Sequence, residues 1–296
     1  MDWELQLIRL YDYLDHHYNS ELWVYCQRFS NNNKPKFSDV EVITVYLYGL
    51  MKKKRELIDI YEYTSDHLSD WFPQLPSYKN YIRRLNSLCS VFEGLLQKSI
   101  EDIPEANMLK EMKLIDSMPI IMASAKRSHT AKVAKGIANK GYCASKGIYY
   151  YGVKLHVLAV KRIQTLPVAE YIGLTPASDN DLKSLEIILP QLYNAELFAD
   201  KAYINELLHK MTKQLQNFQI HTPVKKKKGQ TRPLDYFEKL LSTSVSSIRQ
   251  PIESFFNWIQ QKTGIQNASK VRSYNGLMTH VFGRLAAAML ILVFNS

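Results

Sequence analysis

Three acidic residues, far apart in the chain, interrupt or border apolar segments in which a charge needs a partner. Asp116 stands inside the apolar run of residues 114–121, Asp200 follows the apolar residues 197–199, and Glu253 shares a helical segment with an apolar stripe. A carboxylate in such surroundings is costly unless it is paired or binds a cation. Magnesium and manganese prefer oxygen ligands, and a two-metal site needs carboxylates from several elements. The three residues together suggest a site for divalent metal ions.

Each of these acids also has a purely structural explanation. Asp116 could begin an Asx turn at a strand end, helped by Pro119, and Asp200 could cap the next helix. Glu253 could lie in the first turn of a helix that begins at Pro251, where its charge complements the helix dipole. These explanations do not exclude the metal site. Spacing alone leaves open whether the three carboxylates converge.

Hydrophobic spacing predicts the elements that must position these carboxylates. In the first hundred or so residues, apolar residues recur every three or four positions, which predicts helices. Residues 38–41 match a capping box, so a helix is predicted to begin there. Ser77 is predicted to cap a further helix over residues 78–96, which carries Arg83 and Arg84. This helix either lies on DNA or has a solvated basic face.

From about residue 110 the pattern changes to short runs rich in Val, Ile, Leu and Tyr, which predict strands. Helices then alternate with strands, and two helices complete the chain. This order predicts an α/β fold, a mixed sheet flanked by helices, preceded by an all-helical domain. We place the helical domain at residues 1–108 and the sheet domain at 109–296. The strand-like runs are residues 114–123, 149–160, 165–175, 195–203 and 219–224.

The charge distribution points to an acidic partner. The formal net charge is +10, and residues 201–296 contain 14 Lys or Arg against 4 Asp or Glu, whereas residues 1–200 contain 24 of each class. The basic excess therefore forms a local surface, for which nucleic acid and anionic membranes are the usual partners. The run Lys225 to Lys228 is predicted to bind phosphates without reading sequence, or else to be a solvated loop.

Composition also predicts the compartment. The three cysteines form no CxxC pair, which argues against a disulfide framework and a zinc site and fits a reducing cytosol. The N-terminal residues do not match an export signal. The most apolar segment, residues 281–294, is shorter than the roughly 20 residues that span a bilayer and contains Arg284. We therefore expect a buried closing helix and no membrane partner.

The motifs around the three acids resemble those of the DDE transposases of bacterial insertion sequences. The matching segments are LIDSMPI around Asp116, ADKAYI around Asp200 and IRQPIESFFNWI around Glu253, with YYYGVKLHVLAV in the place of the family's second strand. The resemblance implies an RNase H-like catalytic domain in which these acids hold two Mg²⁺ ions, for which Mn²⁺ can substitute. It implies cleavage at transposon ends by water, followed by attack of the freed 3'-hydroxyl on target DNA. No covalent enzyme intermediate is needed.

The resemblance also implies partners and further contacts. We expect double-stranded DNA, both transposon ends and target, to be bound by a homo-oligomer, a dimer on DNA, in the bacterial cytoplasm at the nucleoid. Many relatives carry a tyrosine three residues before the arginine and a lysine seven after the glutamate, whereas this chain has Ser246 and Gln260 there. The residues expected to contact DNA are Arg249, Lys225, Lys226, Lys227, Lys228, Lys262, Arg83 and Arg84.

Five further polar residues have structural or open interpretations. Arg249 either holds a phosphate or pairs with Glu253 one helical turn away. Lys154 and His156 alternate along one strand, where they reach DNA or face solvent, with a structural role favoured for His156. Asp179 and Asp181 are predicted to be turn and helix-cap residues.

Two other functions compete with a transposase. A stand-alone RNase H-like nuclease needs the same carboxylates but joins no strands, and the N-terminal helices argue for recognition of a DNA end. A DNA-binding regulator derived from a transposase keeps the basic surface without catalysis, and the retention of all three carboxylates argues against it.

Overall fold

Two units, each with its own core, make up this chain. The computed structural model describes residues 2–27, 35–226 and 232–295. The helical unit comprises Met1–Pro104 and Ile259–Ser296, and the sheet unit comprises Glu105–Trp258. This division differs from the predicted one, which assigned residues 259–296 to the sheet domain. The difference arises because the last helix is apolar on nearly every side and packs against N-terminal helices.

The N-terminal part of the helical unit is all helical, as predicted. Its second helix begins at the predicted capping box: Ser38 Oγ accepts from the Glu41 amide at 3.1 Å, and the Glu41 carboxylate accepts from the Ser38 amide at 2.6 Å. The single helix predicted after Ser77 is divided in two, because the buried Leu88 leaves helical geometry. The helices are α1 (Trp3–Ser20), α2 (Asp39–Met51), α3 (Leu57–His67), α4 (Tyr78–Ser87) and α5 (Cys89–Glu101).

The sheet unit contains a mixed sheet, which agrees with the RNase H-like architecture that the resemblance implied. Its elements are β1 (Met108–Ser124), β2 (Asn139–Cys143), β3 (Ile148–Arg162), β4 (Val168–Pro176), α6 (Asp181–Ile188), β5 (Ala195–Phe198), α7 (Glu206–Gln216) and β6 (Phe218–His221). The sheet order is β2-β3-β1-β5-β6, and β4 pairs with β3 beyond the segment that pairs with β2. The pairs among β1 to β4 are antiparallel, whereas β1, β5 and β6 run parallel.

The register of the parallel strands places two of the predicted acids at equivalent positions. The pairing of β1 with β5 ends at Leu114 and Phe198. Asp116 and Asp200 each follow two residues later, just beyond the carboxyl end of β5. Ligand sites of α/β sheets form at such strand ends. Asp116 itself lies inside β1, paired opposite Val157, so the predicted Asx turn at a strand end is wrong.

Two long helices complete the chain, α8 (Tyr236–Thr263) and α9 (Tyr274–Asn295). Pro251 lies inside α8, so the helix start predicted at this residue is wrong and Glu253 is not in a first turn. Helix α9 is longer than predicted, and by length and composition it is apolar enough to cross a membrane. However, 78% of its most apolar window is buried inside the protein, and α9 packs against α5 and α2. Its burial agrees with the predicted closing helix.

Candidate active site

A cavity of about 490 Å³ in the sheet unit is lined by all three predicted carboxylates. They come from β1, from the turn after β5 and from α8, so residues far apart in the sequence line one cavity. Its charged lining residues are Asp116, Asp200, Glu253, Asp181, Lys154 and Arg249.

The side chain of Asp116 is less exposed to solvent than that of Glu253. The Asp116 side chain is 20% exposed, and Oδ1 accepts from the amide of Ser117 at 2.8 Å. Burial raises the pKa of Asp116 to about 6, although the Arg249 charge and the Ser117 amide oppose the shift. The charges of Asp200 and Glu253 add to the rise, because like charges disfavour ionisation. A positive charge in this cavity therefore favours the ionised form of Asp116.

Arg249 at present supplies that positive charge. Its Nη1 donates to Asp116 Oδ2 at 2.8 Å, and its Nη2 donates to Glu253 Oε1. The predicted pairing with Glu253 is thus observed, together with a second pair that crosses from helix to strand. Only 14% of the Arg249 side chain is exposed, and its Nε has no hydrogen-bond partner.

Asp200 and Glu253 present their carboxylates in different ways. Asp200 caps the short 3₁₀ turn Lys201–Tyr203, and its Oδ1 accepts from the Ala202 amide at 2.7 Å. Asp200 therefore caps this turn and also lines the cavity, whereas the next helix, α7, is capped by Asn205. Glu253 is 54% exposed on α8, and its carboxylate pairs with Arg249.

A fourth acid, Asp181, was predicted to be only a cap. Asn180 is the N-cap of α6 and bonds the Leu182 amide, whereas Asp181 directs its carboxylate to the cavity. There Asp181 Oδ1 accepts from Lys154 Nζ and from Ser117 Oγ, both at 3.1 Å. Lys154 alternates with apolar residues in the buried strand β3. A lysine in such a strand needs a partner, so its position is the sequence signal that could have indicated the pair of Lys154 with Asp181.

His156 lies near this cluster but plays the structural part that was favoured for it. It is 1% exposed, and its ring nitrogens contact Thr175 Oγ1 at 2.8 Å and Ser184 Oγ at 3.0 Å. Burial lowers the pKa of His156 to about 4, against the opposing charge of Asp181. The ring is therefore neutral at pH 7 and joins β3 to β4 and α6.

Tyr203 is a buried tyrosine close to the acids of the cavity. It is 1% exposed, and its hydroxyl has no hydrogen-bond partner among the described residues. Burial raises the pKa of Tyr203 well above its ordinary value, and the charges of Asp181, Asp116 and Asp200 add to the rise.

The donor set fits a divalent metal in chemistry, while its present arrangement is that of an ion pair. Carboxylate oxygens are the ligands that Mg²⁺ and Mn²⁺ prefer. Among the described residues, no group of three His, Cys, Asp or Glu side chains is placed to hold a metal ion. Arg249 lies between Asp116 and Glu253, and metal binding between these two acids requires its guanidinium to move.

The other described residues that are expected to contact DNA do not line this cavity. Lys225 and Lys226 are exposed, and Lys227 and Lys228 lie outside the described residues. Lys262 belongs to the helical unit and lines another cavity there.

In the same unit, Arg83 is exposed, whereas Arg84 pairs with Asp39 at 2.8 Å. Arg83 is therefore the freer of the two neighbouring arginines. DNA contact by any of these residues stays a prediction.

The raised pKa of Asp116 predicts how the metal-free protein responds to pH. Between the ordinary aspartate pKa of about 3.9 and about 6, the folded state binds a proton that the unfolded state does not, so stability falls as pH rises through this window. Above pH 6, the ionised Asp116 costs about 3 kcal/mol.

Urea unfolding in EDTA measures this cost when the wild type is compared with Asp116→Asn. The variant should be more stable at pH 7.5, and its advantage should shrink by pH 5. An advantage that is the same at both pH values would contradict the raised pKa.

Comparison with known families gives one match. A family model described as "Transposase DDE domain" matches residues 106–273, which is more than half of the chain and includes Asp116, Asp200 and Glu253. No curated protein and no solved structure matches the chain.

Proposed function

Because the chain belongs to the family of transposases with a DDE domain, we propose that it cleaves DNA at transposon ends and joins the freed 3'-hydroxyl to target DNA. The observation that carries this proposal is the convergence of Asp116, Asp200 and Glu253 on one cavity with Arg249 between two of them. A nuclease-type transposition enzyme needs that concentration of carboxylates beside a cation that can bind phosphate.

Members of this family generally use divalent metals, and here Asp116, Asp200 and Glu253 would hold two Mg²⁺ or Mn²⁺ ions. When bound, such ions activate the attacking oxygen and stabilise the leaving oxygen of a phosphodiester. The protein's own residues prepare that chemistry. The Ser117 amide and the Asp200 cap fix the two strand-derived carboxylates, and Arg249 can move from carboxylates to a phosphate oxygen with both donor groups.

The partner in this proposal is double-stranded DNA, as the family implies. The N-terminal helices would recognise the transposon end, and the sheet unit would carry out the chemistry on end and target. We further propose that the protein works as a dimer on DNA, in the bacterial cytoplasm at the nucleoid. The basic excess of residues 201–296 supports contact with phosphates.

An assay of strand transfer distinguishes this function from its two competitors. Purified protein, a labelled transposon end with a free 3'-hydroxyl and a supercoiled target should give joined products in Mg²⁺ or Mn²⁺ and none in excess EDTA. A nuclease would cut without joining, and a regulator would bind without either reaction. Full activity in excess EDTA would exclude the metal mechanism.

A further inference from the structure

A second cavity, inside the helical unit, has a strongly basic lining. Its volume is about 130 Å³, and it lies among the loop before α3, helix α4 and the start of α9. Among the described residues that line it, Glu56 is the single acid. The cationic side chains of the lining are Arg55, Lys270, Arg272 and Arg284, whereas burial lowers the pKa of His280 to about 3, so this ring carries no charge.

Arg284 is a buried cation that forms no ion pair with a carboxylate of the described residues. It is 5% exposed, and its Nη atoms donate to the backbone carbonyls of Thr263 and Arg55. Burial lowers the pKa of Arg284, the charge of Glu56 opposes this shift, and its Nε has no hydrogen-bond partner in the described parts of the chain. Burial of a charge costs free energy unless an opposite charge compensates for it. An anion in this cavity would supply that compensation.

Thr279 provides a second, independent observation. In this unit, the buried hydroxyls of Thr44, Thr64 and Thr263 each donate to the carbonyl four residues earlier, at 2.7 to 2.9 Å. Thr279 lies on α9, is 2% exposed and lines the cavity, but its Oγ1 has no hydrogen-bond partner among the described residues. A buried hydroxyl without a partner indicates that a bound group satisfies it in the working protein.

The start of α9 adds a favourable electrostatic field at the same place. Ser273 is in the N-cap position of this 22-residue helix, and its Oγ accepts from the Gly276 amide at 3.0 Å. Both residues line the cavity. A helix N-terminus carries a partial positive charge and favours bound anions.

We propose that this cavity binds a phosphate group, held by Arg284 and Thr279 at its base and by Arg55, Lys270 and Arg272 around it. The oxygens of a phosphate accept charge-assisted hydrogen bonds from guanidinium and ammonium groups, and the cavity has room for several waters and so for five heavy atoms. The phosphate belongs to the backbone of duplex DNA, an assignment that rests on the proposed function. Inorganic phosphate is the other source of the same chemistry.

Inorganic phosphate tests the site without any DNA. The melting temperature of the full chain in EDTA should be higher in phosphate than in chloride of equal ionic strength, because a ligand that binds the folded state stabilises it. Thr279→Val keeps the shape but removes the unpartnered hydroxyl. The variant should melt at a higher temperature than the wild type in chloride and lose most of the gain in phosphate. An undiminished phosphate gain in this variant, or no gain in the wild type, would overturn the site.

Duplex DNA tests the source of the phosphate. Lys270→Gln should reduce the slope of log affinity against log salt by about 0.9, the value for one lost phosphate contact. Lys36→Gln is a matched control, because Lys36 is exposed and lines none of the cavities described above. A phosphate gain with equal slopes for both variants would reject DNA as the source and assign the site to free phosphate. Neither measurement uses strand transfer, so failure of this site and failure of the proposed reaction are distinguishable.

Discussion

Asp116→Asn should abolish cleavage while leaving DNA binding within about twofold of the wild type. The substitution removes a metal-ligand charge with little change in volume. A metal ion contributes several kcal/mol of charge stabilisation in the transition state, so its loss lowers the rate by about 10² to 10⁴-fold. The position on β1 is fixed by the strand register, and Asn keeps one oxygen that can accept from the Ser117 amide, while its NH2 group replaces the oxygen that accepts from Arg249. The lost Arg249 hydrogen bond is the other change, and the stability measurement checks that the variant still folds.

The same variant should also be more stable than the wild type in the absence of metal at pH 7.5. Loss of activity together with a gain in stability would identify Asp116 as a functional acid that the fold holds at a cost. Single-turnover cleavage in Mg²⁺ and gel-shift binding in EDTA measure the two halves of the prediction. Near-normal turnover by Asp116→Asn would remove this residue from the site.

Asp200→Asn and Glu253→Gln extend the test to the other two carboxylates. Each should lose cleavage to a similar extent, because each removes one carboxylate charge from the same cavity. Asp179→Asn is a suitable control, because Asp179 pairs with Lys183 on α6 and does not line this cavity. If the control lost as much activity as the two variants, the effect would reflect general charge on the surface rather than the proposed metal ligands.

The strands and their acids could be predicted from the sequence because the signals are local. An apolar run interrupted by one carboxylate marks Asp116, and the end of an apolar run marks Asp200. The family resemblance then implied that these residues converge. Spacing alone does not show that the three carboxylates line one cavity. Their meeting depends on pairing between strands more than 80 residues apart, such as that of Leu114 with Phe198.

Other features depended on tertiary contacts that spacing does not encode. Because proline is favoured in the first turn of a helix, the sequence indicated a helix start at Pro251. In the structure, α8 begins 15 residues earlier, at Tyr236. Asp181 matched a cap pattern, and only the fold brings Lys154 and Ser117 to its carboxylate. Helix α9 is apolar on nearly every side, so its sequence does not indicate which of two cores it joins.

Arg249→Gln should lower the concentration of Mn²⁺ needed for half-maximal binding by about tenfold, even though cleavage falls. In the metal-free protein the guanidinium pairs with Asp116 and Glu253, so it competes with a divalent ion for two of the three carboxylates. Replacing Arg249 with Gln removes the guanidinium that competes with Mn²⁺ for the carboxylates. It also removes the electrostatic repulsion between the guanidinium and Mn²⁺. It also raises the pKa of Asp116 further, because Arg249 now opposes that rise, so binding should be measured at pH 8, where the carboxylate is ionised.

Cleavage by Arg249→Gln should nevertheless fall by about 10² to 10³-fold, the usual effect of losing one donor to an oxyanion. Arg249→Lys keeps the charge without the two parallel donors, so it should keep metal binding near the wild-type level and recover only part of the cleavage. Mn²⁺ titration by electron paramagnetic resonance and single-turnover cleavage give the two readouts separately. If Arg249→Gln bound Mn²⁺ more weakly than the wild type, Arg249 would be a support for the carboxylates rather than a cation that the metal displaces. The site would then have to accept metal beside an intact ion pair.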